Sequence, residues 1–119
     1  MPLDQDLLEL LLDAADGLAL VEKKRMFGLQ ALWANGRIFA LIYDGRIALK
    51  LPDPKVATDL LALKGSRKFM IGAKSTRFGK WFVTPEAFHD DPHALRSWTA
   101  RAHEMALDAP LPKRRRKHP

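Results

Sequence analysis

The stretch Met26–Leu51, MFGLQALWANGRIFALIYDGRIALKL, decides the fold. Within it, Asn35-Gly36 and Asp44-Gly45 sit nine positions apart between apolar runs. Asn-Gly and Asp-Gly tolerate the positive φ that a type I′ turn requires at both central residues, and such a turn matches the twist of the strands it joins. The stretch therefore predicts a three-stranded antiparallel meander over 29–34, 37–43 and 46–51. Two-residue turns also set the register, with 34 opposite 37 and 43 opposite 46 and side chains alternating from there. One face then carries Leu29, Ala31, Trp33, Ile38, Ala40, Ile42, Ile47, Leu49 and Leu51, wholly apolar and in need of a helical cover. The other carries Gln30, Leu32, Ala34, Arg37, Phe39, Leu41, Tyr43, Arg46, Ala48 and Lys50, a mixture of aromatic, aliphatic and basic groups.

Upstream, residues 4–16 read as an amphipathic helix with Asp4 as N-cap, Leu7, Leu8, Leu11, Ala14 and Ala15 at helical spacing, and Gly17 as the stop. Leu18 to Arg25 reads either as a short strand or as an extended lead-in. Downstream, Asp53-Pro54 opens a second helix, because Asp caps the first free N–H groups and proline at the first helical position has no N–H to lose. Val56, Leu60, Leu61 and Leu63 form its buried side, and Gly65 ends it. A fourth strand near 67–71 and a fifth near 80–84 follow, joined by the loop 72–79. Thr84-Pro85 predicts a single turn through Phe88. Asp91-Pro92 starts a last helix running to about Ala106 with a core stripe of Leu95, Trp98, Ala102 and Met105. The order is α-β-β-β-α-β-β-α. It predicts an α+β two-layer sandwich, an antiparallel sheet of about five strands with helices on one face.

At 119 residues the chain suits one domain, placed at 1–109, followed by a disordered basic tail at 110–119. The net charge of +6 belongs mainly to that tail, since Lys113, Arg114, Arg115, Arg116 and Lys117 supply five positive charges and residues 1–112 retain only +1. With no cysteine, disulfides and thiolate metal sites are excluded. No apolar run approaches the ~20 residues that span a bilayer, and acids at Asp4, Asp6 and Glu9 replace the basic start of a secretory signal. A cytoplasmic location with no membrane contact is the expectation.

Met26-Phe27-Gly28, Asn35-Gly36-Arg37-Ile38-Phe39-Ala40-Leu41, Asp44-Gly45-Arg46 and Leu49-Lys50 resemble the N-terminal domain of the TfoX/Sxy competence regulators. Phe82-Val83-Thr84-Pro85-Glu86-Ala87, Asp91-Pro92 and Leu95 to Trp98 are similar to that family's closing pattern, so the resemblance covers about residues 24–106. Leu29 departs from the family, which often has another glycine there. The resemblance implies an α+β domain in bacterial cytoplasm, and this chain is similar to the short, stand-alone members. The family's two-domain members act with a cAMP-responsive transcription activator at competence promoters. The family brings no catalytic residues.

Four groups of residues carry candidate chemistry. Five adjacent cations at Lys113–Lys117 can neutralise phosphates, and full engagement of duplex DNA would steepen log K against log[salt] by roughly 4–5 units. The plainer reading of that tail is a solvated terminus. On the mixed meander face, Arg37, Arg46 and Lys50 surround Phe39 and Tyr43, as on a platform that stacks bases or docks a protein. Its apolar members equally suit a surface covered by a helix, the tail or a second copy. The loop Gly72 to Lys80 suggests a phosphate cradle but is no Walker A motif, since six residues separate its glycines and Trp81 follows the lysine. His89-Asp90-Asp91-Pro92-His93 invites a metal, but a helix start between the histidines removes the one-face geometry, and Asp91 has a cap to make. His103 is expected on the surface of the last helix, and Trp33, Trp81 and Trp98 in the core. No G-x-S-x-G elbow or S-x-x-K pair is present.

The sequence thus favours a non-enzymatic regulatory or protein-interaction domain, working with a protein partner or as a homodimer, without cofactor, metal or small molecule. Nucleic acid would be reached through the tail. The competing readings are a direct nucleic-acid binder, and a ligand carrier or enzyme with a pocket between sheet and helices.

Overall fold

The computed structural model describes residues 4–26, 28–69 and 80–108. Helix α1 (Asp4–Ala14) leads into strand β1 (Val21–Met26) and the meander β2 (Leu29–Ala34), β3 (Arg37–Tyr43) and β4 (Arg46–Lys50). Helix α2 (Pro54–Leu61), strands β5 (Arg67–Lys68) and β6 (Trp81–Val83), a 3-10 turn (Glu86–Asp90) and helix α3 (Pro92–Asp108) complete it. The strands form one sheet in the order β1-β2-β3-β4-β6-β5, with every neighbouring pair antiparallel. The α+β class and single sheet agree with the sequence reading. The sixth strand is β1, which resolves the ambiguous lead-in as a strand.

Local chemistry accounts for the element boundaries. Asn35 and Gly36 have φ of 49° and 84°, and Asp44 and Gly45 have 52° and 71°, so both hairpins turn as their dipeptides dictate. The Asp53 side chain accepts the Lys55 N–H at 2.9 Å and Pro54 opens α2. The Asp91 Oδ1 accepts the Ala94 N–H at 3.1 Å and starts α3. Helix α1 stops at Ala14, two residues before the predicted end, and the chain turns over through Gly17 at φ 87°. Among the described residues no helix is long and apolar enough to cross a membrane.

The meander register departs from simple alternation at one place. Leu32 pairs with Ala40, but the next residue, Trp33, pairs with Ile38, so Phe39 is an extra residue in β3. Such a bulge breaks the alternation of side chains and bends the strand. Phe39 and Ala40 consequently both pack on the helix side. On one side of the bulge the predicted faces hold, with Ala40, Ile42, Ile47, Leu49 and Leu51 under the helices. On the other they exchange. Leu32 and Ala34 lie under the helices, while Leu29, Ala31, Trp33 and Ile38 lie on the opposite face.

The helix-side core joins Leu7, Leu8, Leu11, Ala14 and Ala15 of α1 with Ala57 and Leu60 of α2, Leu95, Ala102 and Ala106 of α3, and the sheet. His103 belongs to this core and not to the surface, being only 5% exposed. Its Nε2 lies 2.7 Å from the Ala19 carbonyl; a carbonyl only accepts, so that nitrogen carries the proton. The ring also meets Phe39 edge-on at 5.4 Å between centroids. Trp98 and Met105 are only partly buried, so the core stripe of α3 runs through Leu95, Thr99, Ala102, His103 and Ala106. The predicted domain boundary at 109 and the tail lie outside the described residues.

The outer strands carry charge. Strand β1 exposes Glu22, Lys23, Lys24 and Arg25, and β5 exposes Arg67 and Lys68. Ahead of β1, Leu20 is 62% exposed at φ 62°, a left-handed conformation that a branched side chain resists.

Two stability measurements follow. Phe39→Ala removes a fully buried ring and should cost about 3–5 kcal/mol in urea denaturation. Leu20→Asn should raise stability, by up to about 1 kcal/mol, because Asn tolerates the left-handed region and little burial is lost.

Candidate functional site

The sheet face away from the helices is the candidate site. Register places Met26 and Lys24 of β1, Leu29, Ala31 and Trp33 of β2, Ile38, Leu41 and Tyr43 of β3, Arg46, Ala48 and Lys50 of β4, and Trp81 and Val83 of β6 on it. Arg67 faces the same way, opposite Val83, and Phe69 closes the β5 side with its N–H on the Trp81 carbonyl at 3.0 Å. Alanines at 31 and 48 leave room along the middle, and aromatics fill it from the sides. Tyr43 meets Phe69 edge-on at 5.3 Å, and Phe69 tilts against Trp81 at 6.4 Å. Phe69 and Trp81 are buried, whereas Met26, Leu29, Trp33, Ile38 and Tyr43 remain partly exposed.

Cations flank these apolar groups. The Lys24 ammonium sits 5.0 Å from the Trp33 ring centroid, within reach of a cation–π attraction. Arg46 approaches Glu86 at 4.0 Å in an exposed pair, which contributes little to stability. Lys50 is held below the ordinary lysine value, first by burial and then by repulsion from Lys80. Glu22, opposite Trp33, is the single acid that register puts on this face among the described strand residues.

Of the five platform residues expected from sequence, the structure brings Tyr43, Arg46 and Lys50 to this face. Phe39 is a correction, because the bulge turns it into the helix-side core at 0% exposure, where it has no free ring face to offer. Arg37 pairs with Ala34 beyond the bulge and leaves the Tyr43 face with it. Its Nη1 donates to the Asn35 carbonyl at 3.1 Å, while its Nε is buried without a partner among the described residues. Sequence reasoning missed Lys24, Trp33, Ile38 and Phe69. A bulge in β3 would have found Trp33 and Ile38, but nothing in the unbroken apolar run Ile38-Phe39-Ala40-Leu41-Ile42 announces one. The tail Lys113–Lys117 and the loop residues 72–79 lie outside the described residues.

The His89–His93 cluster does not assemble as a ligand set, and among the described residues no group of three or more His, Asp or Glu side chains is placed to hold a metal. Asp91 is committed to the α3 cap. His89 is half-buried in the 3-10 turn, and its Nε2 has no partner among the described residues. Burial holds its imidazole below the usual 6.5; Arg46 acts in the same sense, and Glu86 and Asp90 oppose. The folded chain therefore binds fewer protons at this site than the unfolded chain. The associated stability is present above pH 6.5 and is lost as pH falls through the lowered value. His89→Gln should flatten the fall in melting temperature between about pH 7.5 and about pH 5 relative to the parent chain, as read by calorimetry.

The model of the TfoX N-terminal domain matches residues 13–106, a span that includes the whole sheet, α2 and nearly all of α3 but only the last two residues of α1. No curated protein and no solved structure matches the chain. The meander with its two type I′ turns, the capped α2 and α3 and this match over most of the chain lead to one assignment: the chain belongs to the TfoX N-terminal domain family.

Proposed function

We propose that this chain is a non-enzymatic regulatory domain of the bacterial cytoplasm whose helix-free sheet face docks a partner protein of acidic and apolar surface. The observation that supports it is the partly exposed set Met26, Leu29, Trp33, Ile38 and Tyr43, flanked by Lys24, Arg46, Lys50 and Arg67, with Glu22 and the Arg46 partner Glu86 as the acids nearby among the described residues. Aromatic and arginine side chains around an apolar centre are what protein interfaces concentrate, and the excess of positive charge selects an acidic counterpart. Membership of a family whose larger relatives regulate transcription agrees with this reading.

Single-stranded nucleic acid is the rival occupant, since bases also stack on sheet aromatics. The ring geometry disfavours it. Phe69 and Trp81 are buried against their neighbours, Tyr43 is used edge-on, and Lys24 covers Trp33. The basic tail Lys113–Lys117 is the better place for polyanion attraction, as an addition to protein docking.

Affinity capture from bacterial lysate with and without nuclease tests the proposal, using the full chain, Tyr43→Glu and a truncation at residue 112. The expected partner survives nuclease, is lost with Tyr43→Glu and persists with the truncation. In fluorescence anisotropy the truncation should reduce the salt slope for duplex DNA by roughly 4–5 units if all five tail cations engage. Capture abolished by nuclease, or unchanged by Tyr43→Glu, would overturn the docking reading. Concentration-dependent sedimentation abolished by Tyr43→Glu would replace the acidic partner with a second copy of the chain.

A further inference from the structure

The pairing of β3 with β4 runs from Tyr43–Arg46 to Ala40–Leu49 and stops at the bulge. Beyond it, Arg37 and Ile38 of β3 and Lys50, Pro52 and Asp53 at the end of β4 line a cavity of about 610 Å³. Trp33, Lys80 and the last turns of α3, with Ala102, Met105, Ala106 and Asp108, complete its wall. Its size lies within the range of small-molecule sites. We infer that this cavity binds a small organic anion, a carboxylate or phosphate carried on an apolar body.

The wall's chemistry supports that class of ligand. Ile38, Pro52, Ala102, Met105 and Ala106 supply apolar surface for the body. Arg37, Lys50 and Lys80 supply three cations against the carboxylates of Asp53 and Asp108, both exposed. Asp53 is already occupied by the Lys55 N–H at the α2 cap. The same wall contains two buried donors without an acceptor among the described residues, Trp33 Nε1 and Arg37 Nε. A buried donor left unmatched costs free energy, and a side-chain turn that brings either donor to an acceptor-rich head group in the cavity would relieve that cost. Repulsion between Lys50 and Lys80 acts in the same direction, because an anion lodged beside them offsets it. A neutral apolar ligand would relieve neither strain, and a cation would aggravate the second.

The cavity shares Trp33, Ile38 and Lys50 with the docking face but extends past the bulge to Ala102, Met105 and Ala106 of α3, which that face does not include. Fluorescence titration of the full chain with anilinonaphthalene sulfonate, and with phenylnaphthylamine as its uncharged twin, separates anion binding from greasy adsorption. One site is expected, at least about tenfold tighter for the sulfonate. Lys50→Met should remove that preference while leaving the uncharged twin unchanged. Met105→Trp, which fills the cavity without touching the docking face, should abolish binding of both. Circular dichroism and the melting curve verify that both variants fold. Displacement by naphthaleneacetate or by naphthyl phosphate supports the site and names its head group. Equal affinity for the two dyes, a sulfonate preference retained in Lys50→Met, or displacement by neither competitor overturns the inference.

Discussion

The side-chain arrangement depends on one extra residue, Phe39, between two hairpins of otherwise regular register. By placing Phe39 and Ala40 on the same side, the bulge delivers a large ring into the space between β3 and α3, where it meets His103. That contact is tied further along, because the same imidazole donates to the Ala19 carbonyl ahead of β1. One bulge therefore connects the last helix, the middle of the sheet and the entry to its first strand. It also sends Trp33 and Ile38 to the helix-free face and ends the pairing of β3 with β4, which leaves space at that end of the sheet.

Most of the architecture was legible because it depends on local chemistry. Positive φ at Asn-Gly and Asp-Gly, a capping carboxylate before Pro54 or Pro92, and the stripe Leu7, Leu8, Leu11, Ala14, Ala15 each depend on residues a few positions apart. What escaped depends on distant partners. Ile38 through Ile42 is apolar without interruption, so the pattern has no polar residue to show which way each side chain faces. Only the cover of α1 and α3 decides that Phe39 joins Ala40 inside. His103 looked like a solvated helical residue because its acceptor lies 84 positions away. Strand β1 looked indefinite because it offers only Val21 and Met26 to the two apolar clusters.

The candidate site was legible in half. Tyr43, Arg46 and Lys50 lie on the simple side of the bulge and kept their predicted face, while Phe39 and Arg37 lie at or beyond it and did not. Trp33 and Ile38 take their places, the first from β2 and the second from β3 itself, and keep an aromatic on the face without the second cation. The cations follow the same logic. Lys24 reaches the face because the β1 register puts it opposite Ala31, a pairing that no hairpin dipeptide announces.

The charged margins of the sheet limit how the molecule can multiply. An unpaired strand offers free backbone groups to any passing copy, and Lys23, Lys24 and Arg25 on one border, with Arg67 and Lys68 on the other, set like charges against like if two such borders align. β5 is also only two residues long, too short to template an added neighbour. Crowded copies are thus steered away from open-ended ribbons.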